Sequence, residues 1–235
     1  MAQAPDQPDA IWRPSPNVND RRGAALPDII VLHYTAMQSA EAALQRLCDP
    51  APPADLSPVS CHYLIGEDGR LWQLCPEARR AWHAGQGAWA GVGDVNSRSI
   101  GIELANRAET PFAEGQMAGL ERLLPQIMAR WSIPPERVIG HSDMAPLRKS
   151  DPGTKFDWRR LARQDLSVWP APGGRDEGDL ITDLRRFGYP VDDTPPKDLL
   201  AAFRQRFRPW ASGPEAADDR IIARDLARRF PAAKG

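Results

Sequence analysis

The sequence predicts an α/β protein in which helices flank a mixed central sheet, followed by a small all-α bundle of three helices. Short β-branched apolar runs alternate with segments of helical periodicity up to about residue 165, which is typical of a sheet with helices packed on it. A stretch rich in Pro and Gly begins near Trp169, and only helical periodicity follows it. The predicted division is a domain over residues 11–168, a linker over 169–178 and a three-helix domain over 179–235.

The strand predictions rest on short apolar runs bounded by turn residues. These runs lie at residues 28–33, 61–65, 71–74, 99–104 and 137–141. The pair Asp68-Gly69 between the second and third runs predicts a hairpin. Because side chains alternate along a strand, Cys61 and His62 are predicted to point to opposite faces, with one of them buried.

The helix predictions rest on apolar residues that recur every three to four positions. They cover residues 39–47, 110–131, 179–187 and 194–207, with a last helix between Ile221 and Phe230. Thr110 and Pro111 are expected to cap and open the longest helix, and Pro125 to kink or split it. The three C-terminal helices are expected to form a separate bundle whose core is marginal on its own.

Composition limits the class of partner and suggests a compartment. The chain has 235 residues and a net charge of -1, which gives no reason to expect nucleic acid or an acidic membrane as partner. No apolar run approaches the roughly 18–20 residues of an integral membrane segment. Residues 1–22 lack the pattern of a signal peptide, and three cysteines cannot all pair, so a cytoplasmic location is expected. A periplasmic or outer-membrane location is the alternative if a leader has been removed. No oligomeric state is predicted.

Two of the four histidines suggest a metal site. His33 and His141 each end an apolar strand, where open α/β sheets bind ligands. Lys149 and Asp151, two residues apart in an extended loop, can face one site. Two imidazoles and a carboxylate are a standard catalytic zinc set that leaves a fourth position for water. Glu103 is then the candidate general base and Lys149 the candidate oxyanion stabiliser.

Each of these residues also has an ordinary structural interpretation. A histidine that ends a strand is more often a hydrogen-bonded core residue than a ligand. Glu103 alone fits a solvent-facing strand position, and Lys149 fits a solvated loop cation. His62 and His83 either orient other groups or line the cleft. Trp82 and Trp89 either line a sugar or peptide cleft or simply pack at the surface.

Five stretches, in order along residues 11–165, carry a resemblance to a known family. They are residues 30–35, 59–65, 80–85, 99–104 and 140–153. The set resembles the type 2 N-acetylmuramoyl-L-alanine amidases, which include the AmpD and AmiD branches. The resemblance implies hydrolysis of the amide between the lactyl group of N-acetylmuramic acid and L-alanine, in peptidoglycan or soluble muropeptides.

The resemblance also implies a role for each candidate residue. Zn²⁺ ligands fall on His33, His141 and Asp151, the catalytic glutamate on Glu103 and the stabilising lysine on Lys149. His83 falls at a position that shapes the substrate pocket. Apart from the resemblance, Trp82 and His62 are also expected to bind substrate. The third ligand is Asp in the AmpD and AmiD branches and Cys in the others, which places this chain nearer those two.

The C-terminal helices resemble a peptidoglycan-binding bundle of three helices. The matching residues are 183–189 and 201–209. Two rival functions remain: a non-catalytic peptidoglycan receptor of the same fold, and a zinc peptidase that cuts within the stem peptide.

Overall fold

A six-stranded sheet forms the centre of the fold in the computed structural model, which describes residues 4–171 and 173–232. Its strands are β1 (Ile11–Trp12), β3 (Ile29–Tyr34), β4 (Tyr63–Ile65), β5 (Leu71–Gln73), β7 (Ser99–Leu104) and β8 (Val138–Gly140). The order is β1-β5-β4-β7-β3-β8, and a separate antiparallel pair joins β2 (Val18–Asn19) to β6 (Arg80–Ala81). Only β4 and β5 pair antiparallel within the main sheet, as the predicted hairpin requires. The predicted mixed sheet is confirmed.

Eight α-helices surround the sheet in the described residues. They are α1 (Ala40–Leu47), α2 (Val95–Arg98), α3 (Glu114–Trp131), α4 (His141–Met144), α5 (Trp158–Ala162), α6 (Leu180–Phe187), α7 (Pro196–Phe207) and α8 (Ala217–Arg229). None of the helices in residues 4–171 and 173–232 combines the length and apolarity that crossing a membrane requires.

Helix α3, the longest, differs from its prediction at both Pro111 and Pro125. It begins at Glu114 rather than at Thr110, because Ala113 is still extended. Pro125 lies inside one continuous helix and does not split it. The proline is exposed, whereas Leu124 and Ile127 on either side are buried against the sheet. This packing holds the helix together despite the missing hydrogen bond.

Strand β3 separates two apolar layers because its side chains alternate between the faces of the sheet. Ile30 and Leu32 pack with α3 on one face. Ile29 and Val31 pack on the other face with buried residues of α6, α7 and α8. The three C-terminal helices therefore form the second helical layer of the main fold.

The expectation of a separate bundle is wrong in this respect, since the bundle and the sheet share one core. Phe187, Phe203 and Leu226 belong to the same buried cluster as Val31 of the sheet. The shared core removes the difficulty that three short helices have too little apolar surface to be stable alone. The domain boundaries themselves stay a prediction. Pro172 of the predicted linker and residues 233–235 of the predicted bundle lie outside the described residues.

Candidate active site

The sheet brings the predicted ligands to one edge. Strand β3 pairs in parallel with β8, so His33 and His141 both lie at the carboxyl end of adjacent strands. His141 is the first residue of α4 rather than the last of a strand. Asp151 is tied to this segment because its carbonyl oxygen accepts a hydrogen bond of 2.9 Å from the Ser142 amide.

Three donor atoms converge at this edge. The Nδ1 atoms of His33 and His141 are 2.9 Å apart, and Asp151 Oδ2 lies 2.8 Å and 3.0 Å from them respectively. All three side chains are buried, at 1%, 2% and 7% exposure. The structure therefore brings together the ligand set that the sequence predicts.

The hydrogen bonding of His141 tests whether these residues fit a metal. Its Nε2 lies 2.8 Å from the carbonyl oxygen of Ala84, which can only accept a hydrogen bond. A neutral His141 therefore carries its proton on Nε2, and its Nδ1 presents a lone pair to the other two donors. A metal ligand needs this tautomer, and a carbonyl partner on the second nitrogen is its usual support. The residues fit a metal ion such as Zn²⁺.

The electrostatics of the site favour the ligand forms. Burial, and then the nearby charge of His141, lower the pKa of His33 to about 4. Burial alone would raise the pKa of Asp151, but the two imidazoles next to its Oδ2 atom outweigh burial and lower that pKa. A neutral imidazole and an ionised carboxylate are therefore available at neutral pH, as metal binding requires.

Glu103 lies beside the triad of His33, His141 and Asp151 because of the strand register. It is the direct partner of His33 across the β3–β7 pair, so both side chains point to the same face. Its Oε2 is buried and has no hydrogen-bond partner in the described residues. Burial, and then the charge of Asp151, raise the pKa of Glu103 well above its ordinary value, which Lys149 partly opposes. A carboxyl group with a raised pKa holds a proton more readily than an ordinary glutamate, which suits a group that accepts and returns a proton.

A cavity of about 390 Å³ opens onto these groups. Its lining includes Glu103, Lys149 and the three proposed ligands, with the Lys149 side chain exposed to solvent. The cavity is large enough for part of a small glycopeptide, and all five residues of the predicted chemistry line it.

The other predicted site residues lie in different places. His83 lines the cavity, at 9% exposure. His62 is fully buried, does not line the cavity, and accepts a hydrogen bond of 2.9 Å from the Gly101 amide. Cys61 is fully buried as well, so both of that pair are inside. Trp82 is half-buried outside the cavity lining, and its indole donates to Asn19.

Trp89 is not available to a ligand. It is 1% exposed and packs edge-on against Phe187 and Tyr189 between the sheet and the C-terminal helices. The expectation that it lines a cleft is wrong, because this tryptophan belongs to the shared core.

Comparison with known proteins identifies the family. The family model described as N-acetylmuramoyl-L-alanine amidase matches residues 22–154. The chain belongs to this family. The N-acetylmuramoyl-L-alanine amidase AmiD of Escherichia coli is 37% identical across 88% of this chain and 85% of AmiD. The 1,6-anhydro-N-acetylmuramyl-L-alanine amidase AmpD of Enterobacter cloacae is 34% identical across 65% of this chain and 88% of AmpD.

A solved structure confirms the amidase fold. E. coli AmiD in complex with anhydro-N-acetylmuramic acid-L-Ala-D-γ-Glu-L-Lys superposes with a TM-score of 0.77 at 34% identity, covering 91% of this chain and 98% of the AmiD chain in that structure. The predicted family and enzyme class are therefore confirmed. The family model ends before the C-terminal helices, whose affinity for peptidoglycan stays a prediction.

Two arginine side chains that the sequence pattern does not single out also line the cavity. Arg46 of α1 and Arg148 both line it. Arg148 is held by backbone carbonyls, including that of Ala84 at 3.1 Å. Arg46 sits between Leu44 and Leu47 in an ordinary amphipathic helix, and nothing in that pattern distinguishes it from a solvated surface charge.

Proposed function

We propose that this amidase is zinc-dependent, with the metal held by His33, His141 and Asp151, and that it acts on anhydro-N-acetylmuramyl peptides. The observation that carries the proposal is the convergence of three buried donor atoms beside a buried Glu103 oxygen, Oε2, that has no hydrogen-bond partner in the described residues. The substrate class is supported by the AmiD complex, whose ligand is an anhydro-N-acetylmuramic acid peptide.

Glu103 and Lys149 carry the proton transfer and the charge stabilisation in this proposal. A bound zinc ion would supply a Lewis acid and lower the pKa of a coordinated water to about 7. The Glu103 carboxylate takes the proton of the attacking water and returns one to the departing alanine nitrogen. The Lys149 ammonium group, exposed at the cavity wall, stabilises the oxyanion that forms from the lactyl carbonyl.

Metal removal tests this function directly. The purified protein is incubated with anhydro-N-acetylmuramyl tripeptide, with and without chelator, and products are identified by mass spectrometry. We expect the free peptide beginning with L-alanine, loss of the reaction with chelator, and recovery with Zn²⁺. Binding without release in the zinc-loaded protein would favour the receptor, and a product beginning at an inner residue would favour the peptidase.

Arg46 is proposed to bind a carboxylate of the stem peptide. Its Nη2 donates to the Ser57 carbonyl at 2.6 Å, whereas its buried Nη1 has no partner in the described residues. A D-Glu linked through its γ-carboxyl group, as in the AmiD ligand, leaves an α-carboxylate free. A guanidinium group that faces the cavity is suited to that anion.

Replacing Arg46 with Met should therefore weaken substrate binding. We expect KM for the tripeptide substrate to rise about 10- to 100-fold with little change in kcat, because a charge-assisted hydrogen bond is worth roughly 1.5–3 kcal/mol. Arg13→Met is the matched control, since Arg13 forms an exposed ion pair with Glu41 of the same helix. A KM unchanged in the Arg46 variant would contradict the assignment.

A further inference from the structure

The hydrogen bonds of His83 have a fixed direction. The Ser99 hydroxyl lies 2.6 Å from the carbonyl oxygen of Val95, and only the hydroxyl can donate in that pair. The single hydroxyl proton is thereby used. His83 Nε2, 3.1 Å from the same Ser99 oxygen, must then be the donor to it. A neutral His83 therefore has its proton on Nε2 and a lone pair on Nδ1.

The tautomer of His83 in turn fixes the tautomer of His33, a proposed zinc ligand. His83 Nδ1 lies 3.0 Å from His33 Nε2, so His33 donates its Nε2 proton to His83. The remaining nitrogen of His33, Nδ1, then presents a lone pair towards Asp151.

Ala84, the residue after His83, fixes the tautomer of the second proposed ligand, His141. The carbonyl oxygen of Ala84 accepts the Nε2 proton of His141 at 2.8 Å. Asn96 holds the dipeptide in place, because its Oδ1 accepts hydrogen bonds from the amides of His83 at 3.0 Å and Ala84 at 2.8 Å. Two adjacent residues thus determine the orientation of both imidazoles.

The His83 ring packs against Gly101 of strand β7. A Cβ atom placed on Gly101 would lie 2.4–2.6 Å from three atoms of that ring. The absence of a side chain at this position lets the imidazole pack directly on the strand, level with Ser99 two residues earlier.

We propose that the His83–Ala84 dipeptide, directed by Ser99 and Asn96, is the positioning element that sets both histidine ligands in the tautomer that binds the metal. This inference rests on the proposed zinc site. It gives His83 a different task from substrate binding, because both of its ring nitrogens are already engaged within the protein. Its contact with the cavity is then a consequence of its place beside His33.

Two substitutions test the His83–Ala84 positioning element, one at the residue that orients His83 and one at His83 itself. Ser99→Ala keeps His83 but lets its proton move to Nδ1, which would turn the His33 tautomer away from metal binding. His83→Phe keeps a ring over Gly101 and removes the acceptor. We expect the dissociation constant for Zn²⁺, measured by competition with a chromophoric chelator, to rise about tenfold in Ser99→Ala and up to about 100-fold in His83→Phe.

The controls separate positioning from general damage and from substrate binding. Ser97→Ala removes a nearby buried hydroxyl that is hydrogen-bonded to Arg22, Arg80 and Asp94 and not to any of the histidine rings, so its zinc affinity should match that of the unchanged chain. Thermal unfolding of the metal-free variants reports stability apart from zinc affinity. The absorption spectrum of the Co²⁺-loaded protein should change in the Ser99 variant and not in the control.

Each outcome bears on one claim. Wild-type zinc affinity in Ser99→Ala would overturn the proposed positioning element, even if His83→Phe fails to fold. Unchanged zinc affinity with a raised KM in His83→Phe would return His83 to the substrate-binding role. An unchanged chain that binds no zinc would overturn the proposed function itself.

Discussion

Replacing Glu103 with Gln is expected to lower kcat by roughly 10²–10⁴-fold, the usual contribution of general acid–base catalysis. The amide has nearly the shape of the carboxylate but cannot accept the proton of the attacking water. Because Glu103 is not among the three converging donors, zinc affinity should stay close to that of the unchanged chain. Initial rates on the anhydro-N-acetylmuramyl tripeptide, with zinc content measured on the same samples, check both expectations.

The pH profile gives a second signature of the same group. The raised pKa of Glu103 means that its carboxylate is lost as the pH falls through that pKa, so turnover should decline on the acid side. The Gln variant should lack this limb in its residual activity. Glu109→Gln, at an exposed position, is the matched control and should leave the rate unchanged. Retention of most turnover in Glu103→Gln would contradict the general-base assignment.

The central strands and the triad could be predicted because their signals are local. A β-branched run such as residues 29–32 buries both of its faces, and only a strand at the centre of a layered fold does so. His33 and His141 follow such runs directly, and Asp151 lies within one short loop of His141. Parallel pairing of β3 and β8 then brings them together without further information.

What could not be predicted depends on contacts between distant segments. The apolar faces of α6 and α7 are visible in the sequence, but a periodic pattern does not say whether a face packs on its own bundle or on the sheet. For the same reason Trp89 looked available, although α6 covers it. The hydrogen-bond partner of His141 is the backbone carbonyl of Ala84, and a backbone contact cannot be predicted from the type of residue at that position.

Removing the Arg206 guanidinium group of α7 should cost about 3–5 kcal/mol of unfolding free energy, because it leaves the Asp143 carboxylate of α4 buried without a counter-ion. The two side chains are 2% and 1% exposed, and their Nη1–Oδ2 distance is 2.7 Å. Arg206 also donates to the Val138 carbonyl at 3.0 Å and stacks 4.3 Å from the Trp158 ring centroid. Arg206→Met should therefore lower Tm by roughly 6–20 °C, measured by thermal unfolding.

Two further variants assign the loss to the buried charge. Arg185→Met, which breaks an exposed ion pair of α6 with Asp192, should cost less than about 1 kcal/mol. Asp143→Asn combined with Arg206→Met should recover part of the stability, since no uncompensated charge remains. A Tm for Arg206→Met close to that of Arg185→Met would contradict the assignment.

The same contact links the C-terminal helices to the chemistry of the site. Asp143 Oδ2 accepts the Gly140 amide at 2.8 Å, immediately before His141, and its Oδ1 accepts the Tyr189 hydroxyl at 2.6 Å. Arg206 therefore fixes the segment that carries a proposed zinc ligand. Below its own unfolding temperature, Arg206→Met should also bind zinc more weakly, whereas a bundle that served only to hold peptidoglycan would leave zinc affinity unchanged.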